Sequence, residues 1–156
     1  MKCINEISKD VIDFTFICIA ILLFNLIDAE GKTIIVDKNS FYKTIKSALN
    51  ASKNFDTIII KQNNYLEGTL IIDKQLTLIG ENFPVLNGEA KNQIIIVKSS
   101  NVKISGFIFK NSGVSFLSDN SAIKLDNVTN CIIENNKFIN NFFAVYLSKS
   151  SNCKII

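Results

Sequence analysis

Three phrases decide how this chain folds: Asn101-Val102-Lys103-Ile104, Asn130-Cys131-Ile132-Ile133 and Asn152-Cys153-Lys154-Ile155. Each follows a polar step, and two of the steps are the same tetrapeptide, Lys98-Ser99-Ser100-Asn101 and Lys149-Ser150-Ser151-Asn152. A looser copy stands at Gln75-Leu76-Thr77-Leu78, so the phrases begin at 75, 101, 130 and 152, with spacings of 26, 29 and 22. Self-similarity at roughly 20 to 50 residues marks stacked units, none of which buries its apolar face alone.

Seven residues ahead of each Asn lies a second repeated segment. There Ile94 and Ile96, Ile123 and Leu125, and Val145 and Leu147 alternate with Ile95, Lys124 and Tyr146. Period-two alternation describes a strand with one buried and one wet face. By the same rule Val102/Ile104, Cys131/Ile133 and Cys153/Ile155 point inward, while Lys103, Ile132 and Lys154 point out. A third segment holds Phe109 and Phe138, again 29 apart. Three short strands per unit, with equivalent apolar residues at each level, predict an all-β chain coiled as a parallel β-helix. Its usual form is right-handed. Leu76, Val102, Cys131 and Cys153 should then form one internal pile.

Asn111, Asn127, Asn130, Asn135, Asn136, Asn140 and Asn141 fall where such strands must bend. Asn tolerates the left-handed region and bonds its own backbone, and like amides can ladder between rungs about 4.8 Å apart. An A+T-rich coding sequence would also raise Asn and Lys, and all 17 basic residues are Lys. Composition alone does not place Asn at corners.

At 156 residues and 47% apolar, the chain suffices for one domain with a core. Residues 1–29 read as a secretory signal: Lys2 and Lys9 precede the apolar run Phe14 to Phe24, and Ala29 is a small residue at a cleavage point. That run is about half of what spans a bilayer. Its loss removes two Lys and four acids, which moves the net charge from +3 to +5. This mild, dispersed basicity reads as solvation and not as a nucleic-acid stripe, and the membrane enters only through the leader or a partner. Cys131 and Cys153 stay in the mature part, on successive rungs. Either a disulfide in an exported protein or plain apolar packing accounts for them.

After a first strand at Thr33–Val36, Ser40 is expected to cap a helix over residues 40–53, with Phe41, Ile45, Ala48 and Leu49 at helical spacing. Laid across the open first turn, it would cover unpaired strand edges. The β-helix domain is expected to occupy 30–156. The longest unit carries seven extra residues, which must leave the coil as a loop. Ser112, Ser115, Phe116, Leu117, Asp119 and Asn120 in it are the candidate partner-contact residues; folding back on the rung is the other reading. The chain stops mid-strand at Ile156 with no polar cap, which reads as truncation of a longer coil.

Ile45-Lys46-Ser47-Ala48, Asp56-Thr57-Ile58, Tyr65-Leu66-Glu67, Leu76-Thr77-Leu78-Ile79-Gly80-Glu81, Pro84-Val85-Leu86-Asn87-Gly88, Val102-Lys103-Ile104-Ser105-Gly106-Phe107 and Glu134-Asn135-Asn136-Lys137-Phe138-Ile139-Asn140-Asn141 occur in that order behind a leader. Together they resemble the N-terminal half of the NosD-like family, exported pectin-lyase-like β-helices that assist nitrous oxide reductase. Two departures stand out: Phe55 where that family has Gly before the Asp, and Ala144 where it has Gly after the Phe. The resemblance implies a periplasmic, non-catalytic accessory that works with the reductase and an ABC transporter in maturation of a copper-sulfide cluster. Copper sites use imidazole, thiolate and thioether. Past the leader there is no His, no Met and only the two inward cysteines, so the implied role is indirect and no cofactor or metal is expected.

Lyases, hydrolases and epimerases of acidic polysaccharides share this coil and are the rival reading. Glycoside hydrolysis wants two carboxylates across one bond, and Asp126 and Glu134 are the nearest pair on adjacent segments. A lyase wants a base beside a cation, and the chain lacks His and Arg altogether. A structural or adhesive coil is the third reading.

Overall fold

Backbone amides of one turn bond carbonyls of the turn before it. Lys103 N donates to Leu76 O at 3.0 Å, Ile132 N to Val102 O at 2.9 Å and Lys154 N to Cys131 O at 2.8 Å. Such bonds require the chain to return in the same direction one strand spacing further on, which a parallel coil does and a hairpin does not. The structure is a computed structural model and describes residues 31–114 and 120–156. The expected leader at 1–29 and residues 115–119 of the expected loop lie outside them.

The described elements are β1 (Thr33–Val36), α1 (Ile45–Ala51), β2 (Thr57–Ile60), β3 (Asn64–Tyr65), β4 (Leu70–Ile72), β5 (Thr77–Gly80), β6 (Val85–Asn87), β7 (Ile95–Val97), β8 (Lys103–Ser105), β9 (Ile108–Lys110), β10 (Ser121–Asp126), β11 (Ile132–Glu134), β12 (Lys137–Ile139), β13 (Phe143–Ser148) and β14 (Lys154–Ile155). They stack into three parallel sheets, ordered β1-β2-β5-β8-β11-β14, β3-β6-β9-β12 and β4-β7-β10-β13. Four turns contribute one strand to each sheet and β1 and β14 extend the first, giving a β-solenoid of about five turns.

Register puts like on like. In the first sheet Ile34, Ile58, Leu78, Ile104, Ile133 and Ile155 are successive partners, and all but Ile155 on the outermost strand are buried. Leu76, Val102 and Cys131 form the next column and are fully inside, with half-buried Cys153 above them. The expected pile therefore exists. In the second sheet Leu86, Phe109 and Phe138 are partners. The rings of Phe109 and Phe138 stack with centroids 5.4 Å apart and planes 14° apart.

The third sheet corrects the expected register of β7. Ile95 and Val97, not Ile94 and Ile96, pair with Ile123 and Leu125, and Ile96 is the outward residue beside Lys124. The corner between the third and first sheets explains the shift. Only Asn101 is left-handed in the corner between β7 and β8 (φ 59°), whereas Asn127 and Asn130 both are in the corner between β10 and β11 (φ 56° and 58°). That second left-handed residue adds one position, so counting back from Asn overshoots in the shorter corner. Ile94 is buried as well, just ahead of its strand.

The helix is also shorter than expected. It covers Ile45–Ala51, and Thr44 is its N-cap, accepting from Ser47 N at 3.1 Å. Ser40 instead closes the preceding turn: its hydroxyl accepts from Asp37 N and donates toward carbonyls of that turn. Phe41 stands 90% exposed and does not join the helix. Ile45, Ala48 and Leu49 are buried against β1, β2 and β4, so the helix does cover the first turn. Glu67 fixes its start, accepting from Ile45 N (2.7 Å) and Lys46 N (2.8 Å). Buried Asp56 fixes its exit, accepting from Lys53 N (2.8 Å) and Lys32 N (2.9 Å).

Asparagine does two jobs at the corners. Asn111, Asn127, Asn130, Asn135 and Asn140 are left-handed, while Asn136 and Asn141, each following one of these, are not. These second residues reach to the turn before. Asn136 accepts from Phe107 N and donates to Ile104 O, both at 3.0 Å, and Asn141 does the same with Ser112 N and Phe109 O. A side-chain ladder runs Asn140 to Asn111 to Asn87. At one corner the rungs press together: a Cβ on Gly106 (φ 85°) would lie 2.4 Å from Gly80 O.

Two substitutions separate these jobs. Asn136→Ala leaves a backbone N–H and a C=O without partners and should cost about 2 to 4 kcal/mol; Asn127→Gly keeps a left-handed corner and should stay within about 0.5 kcal/mol of wild type. Urea denaturation followed by far-UV circular dichroism checks both, and equal costs would contradict the division of labour.

Candidate functional site

The third turn holds the excess residues. Between β9 and β10 lie ten residues, against three between β12 and β13, so this turn carries seven more between those strands. Its first foot is Ser112, which is buried. The Ser112 amide donates to Asn141 Oδ1 at 3.0 Å, and its Oγ accepts from Phe142 N at 2.9 Å. Gly113 N donates to Asn92 O at 2.9 Å. A Cβ on Gly113 would meet Lys91 O at 2.6 Å and Asn120 Nδ2 at 3.0 Å, so the neck is too tight for a side chain there. On the return, fully buried Ser121 accepts from Gln93 Nε2 at 3.0 Å.

Of the six expected contact residues, Ser112 and Asn120 are thus brought together at one neck. Ser115, Phe116, Leu117 and Asp119 lie outside the described residues. Ser112 serves the coil and is shielded from any partner; Val114, next along, is exposed.

An aromatic corner adjoins this neck. Phe142, whose amide is held by Ser112, and Phe143 are about two-fifths exposed. Their centroids lie 4.7 Å apart at 65°. Phe143 stacks on Tyr146 at 6.0 Å, and Lys124 Nζ lies 5.8 Å from the Tyr146 ring. Ring faces beside an ammonium can receive planar or apolar groups by stacking. Sequence reading placed Tyr146 outward and overlooked the cluster. The signal was present in the Phe142-Phe143 doublet, since period-two alternation sends only one of two neighbours inward.

Asp126 and Glu134, the nearest carboxylates on adjacent segments, are not brought together. Asp126 lies at the end of β10 in the third sheet, opposite Ser148. Glu134 lies in β11 of the first sheet, opposite Ser105, and its carboxylate is 2.8 Å from Lys103 Nζ. They project from different faces of the coil. Among the described residues no group of three or more His, Cys, Asp and Glu could hold a metal, and no helix is long and apolar enough to cross a membrane. A cleft of about 440 Å³ opens between α1 and β4, lined by Lys46, Leu49, Asn50, Thr69, Ile71, Asp73 and Lys74 among others. Lys74 Nζ is engaged there with Leu49 O at 2.8 Å, on the last turn of the helix.

The chain is 26% identical over 136 residues to a cell surface glycoprotein of Methanothermus fervidus, an alignment that takes in 84% of this chain and 22% of that protein. No protein-family model and no solved structure matches it.

The neck and the loop should respond differently to mutation. Ser112→Ala frees the Phe142 amide inside the neck and should cost about 1 to 3 kcal/mol. Replacing 114–119 by two glycines should change stability by less than about 0.5 kcal/mol. Chemical denaturation of both variants tests this; a loop replacement as costly as Ser112→Ala would mean that the loop packs back on its rung.

Proposed function

We propose that this chain is part of an exported, non-catalytic β-solenoid that presents a recognition surface, formed by the loop after β9 and the corner of Phe142, Phe143 and Tyr146. The observation that carries the reading is the pairing at one corner of a hydrogen-bonded neck with the exposed rings of Phe142 and Phe143 on the outermost described strand. Loops on a rigid scaffold are where recognition usually sits. The likeness to a cell surface glycoprotein supports export, and since the chain spans 22% of that protein's length, its partner is part of the proposal. The separation of Asp126 from Glu134 favours binding over hydrolysis of a glycan.

A more specific role is accessory work in copper-cluster maturation of nitrous oxide reductase, together with an ABC transporter in the periplasm. What favours it is the ordered run of segments that resembles the NosD-like family. Several of those segments serve the coil itself: Glu67 and Asp56 hold the helix, and Gly80 and Gly106 pack one corner. They therefore support the architecture more strongly than the process.

Antibodies against residues 31–156, applied to intact and to permeabilised cells, test the general reading. Labelling outside the inner permeability barrier is expected, and labelling confined to the cytosol would overturn it. The specific role predicts that deleting the gene leaves the reductase without its copper-sulfide signature in absorption spectra, with recovery on complementation. An unchanged spectrum would remove that role while leaving the general one intact. Incubation with polymers of uronic acids should release no unsaturated or reducing ends.

A further inference from the structure

The inward column Leu76, Val102, Cys131 and Cys153 ends in two thiols on consecutive strands. Cys131 and Cys153 are in register: Ile132 pairs with Lys154, Ile133 with Ile155, and Lys154 N donates to Cys131 O at 2.8 Å. Neighbouring strands lie about 4.8 Å apart, and disulfides bridge Cα atoms roughly 4.4 to 6.8 Å apart. Both cysteines stand just outside β11 and β14, at a corner where the backbone is less constrained than within a ladder. Both thiols are free in the structure. They differ in access: Cys131 is fully buried, while Cys153 is only half-buried. Cys131 Sγ donates weakly toward Ser99 O and Thr129 O, each at 3.7 Å, and Cys153 Sγ toward Ser151 O at 3.3 Å.

We propose that Cys131 and Cys153 form a dithiol redox site, closed by a disulfide-bearing oxidant into a bond that clasps β14 to the turn before it. The accessible Cys153 thiolate attacks one sulfur of the oxidant; the oxidant's S–S bond breaks, one thiolate leaves, and Cys153 is held as a mixed disulfide. The Cys131 thiolate then attacks the Cys153 sulfur and displaces the second thiolate. Two electrons and two protons pass from the cysteine pair to the oxidant, which is released as two thiols. The order follows the burial of the two thiols among the described residues, Cys131 fully buried and Cys153 half-buried. Burial pushes the Cys131 thiol above its ordinary range, and the neighbouring Cys153 adds to the rise, which makes its thiolate scarcer. The bond closes a loop that contains β11, β12 and β13. It adds a covalent tie where β14 is otherwise held by two register pairs. This site stands apart from the aromatic corner, and its test does not depend on the recognition role.

The experiment uses the full chain, reduced and then equilibrated with oxidised glutathione. Peptide mapping should find Cys131 joined to Cys153, and hydrogen exchange at β14 should slow by about tenfold or more, both reversed by dithiothreitol. In the reduced chain iodoacetamide should label Cys153 at least about ten times faster than Cys131. Cys131→Ser should stop at a glutathione adduct on Cys153, and Cys153→Ser should leave Cys131 unmodified while circular dichroism still reports the coil. Three results would overturn the proposal: a folded wild-type chain that forms no linked peptide, a linkage of either residue to Cys3 or Cys18 instead, or a glutathione adduct on Cys131 in Cys153→Ser.

Discussion

The parallel backbone ladder between consecutive turns is the constraint on which everything else in this coil depends. Because amide and carbonyl of one rung are committed to the next, a residue's neighbour above is its counterpart one repeat later. A small set of choices then suffices. An inward Ile or Leu repeated at each level builds the column from Ile34 to Ile133, and an aromatic repeated after 29 residues gives the Phe109 and Phe138 stack. The same constraint places like on like at the corners, where Asn87, Asn111 and Asn140 pass hydrogen bonds from rung to rung. Among the described residues no buried side-chain nitrogen or oxygen lacks a partner, which is what a polar ladder inside a stacked fold must achieve.

At the first turn α1 covers the core, its start tied to Glu67 and its exit to Asp56. At the outermost described strands the inward positions Val145, Leu147, Cys153 and Ile155 are only partly covered. The two cysteines share one column, Cys131 buried and Cys153 half-buried. The aromatic corner lies on β13, the outermost described strand of its sheet, where Ser112 Oγ holds the Phe142 amide.

Most of the architecture was legible because it rests on repetition, and repetition survives in sequence even when individual propensities are weak. The three segments per turn, the pile of Leu76, Val102 and Cys131, and the turn that holds seven additional residues could all be read in this way. The misreadings arose where local geometry, and not the repeat, decides. Asn101 and Asn130 look alike as letters, but one corner holds a single left-handed residue and the next holds two, so β7 slipped by one position. Ser40 and Thr44 are both good caps; the turn claimed Ser40, and the helix began at Ile45. The aromatic corner was harder still, since period-two reasoning asks which residues face in and passes over a doublet that cannot obey it. Function was less legible for a related reason: Asp56, Glu67, Gly80 and Gly106, which carry much of the family resemblance, are explained by holding the coil together.

Methyl-to-methyl nuclear Overhauser contacts in the first sheet measure the stacking most directly. Selective labelling of Ile and Leu should yield a single chain of cross-peaks, Ile34 to Ile58 to Leu78 to Ile104 to Ile133, each residue touching its partner one turn on. Cross-peaks that skip a level, or that link these residues in the order an antiparallel hairpin would give, would contradict the coil and every site placed on it.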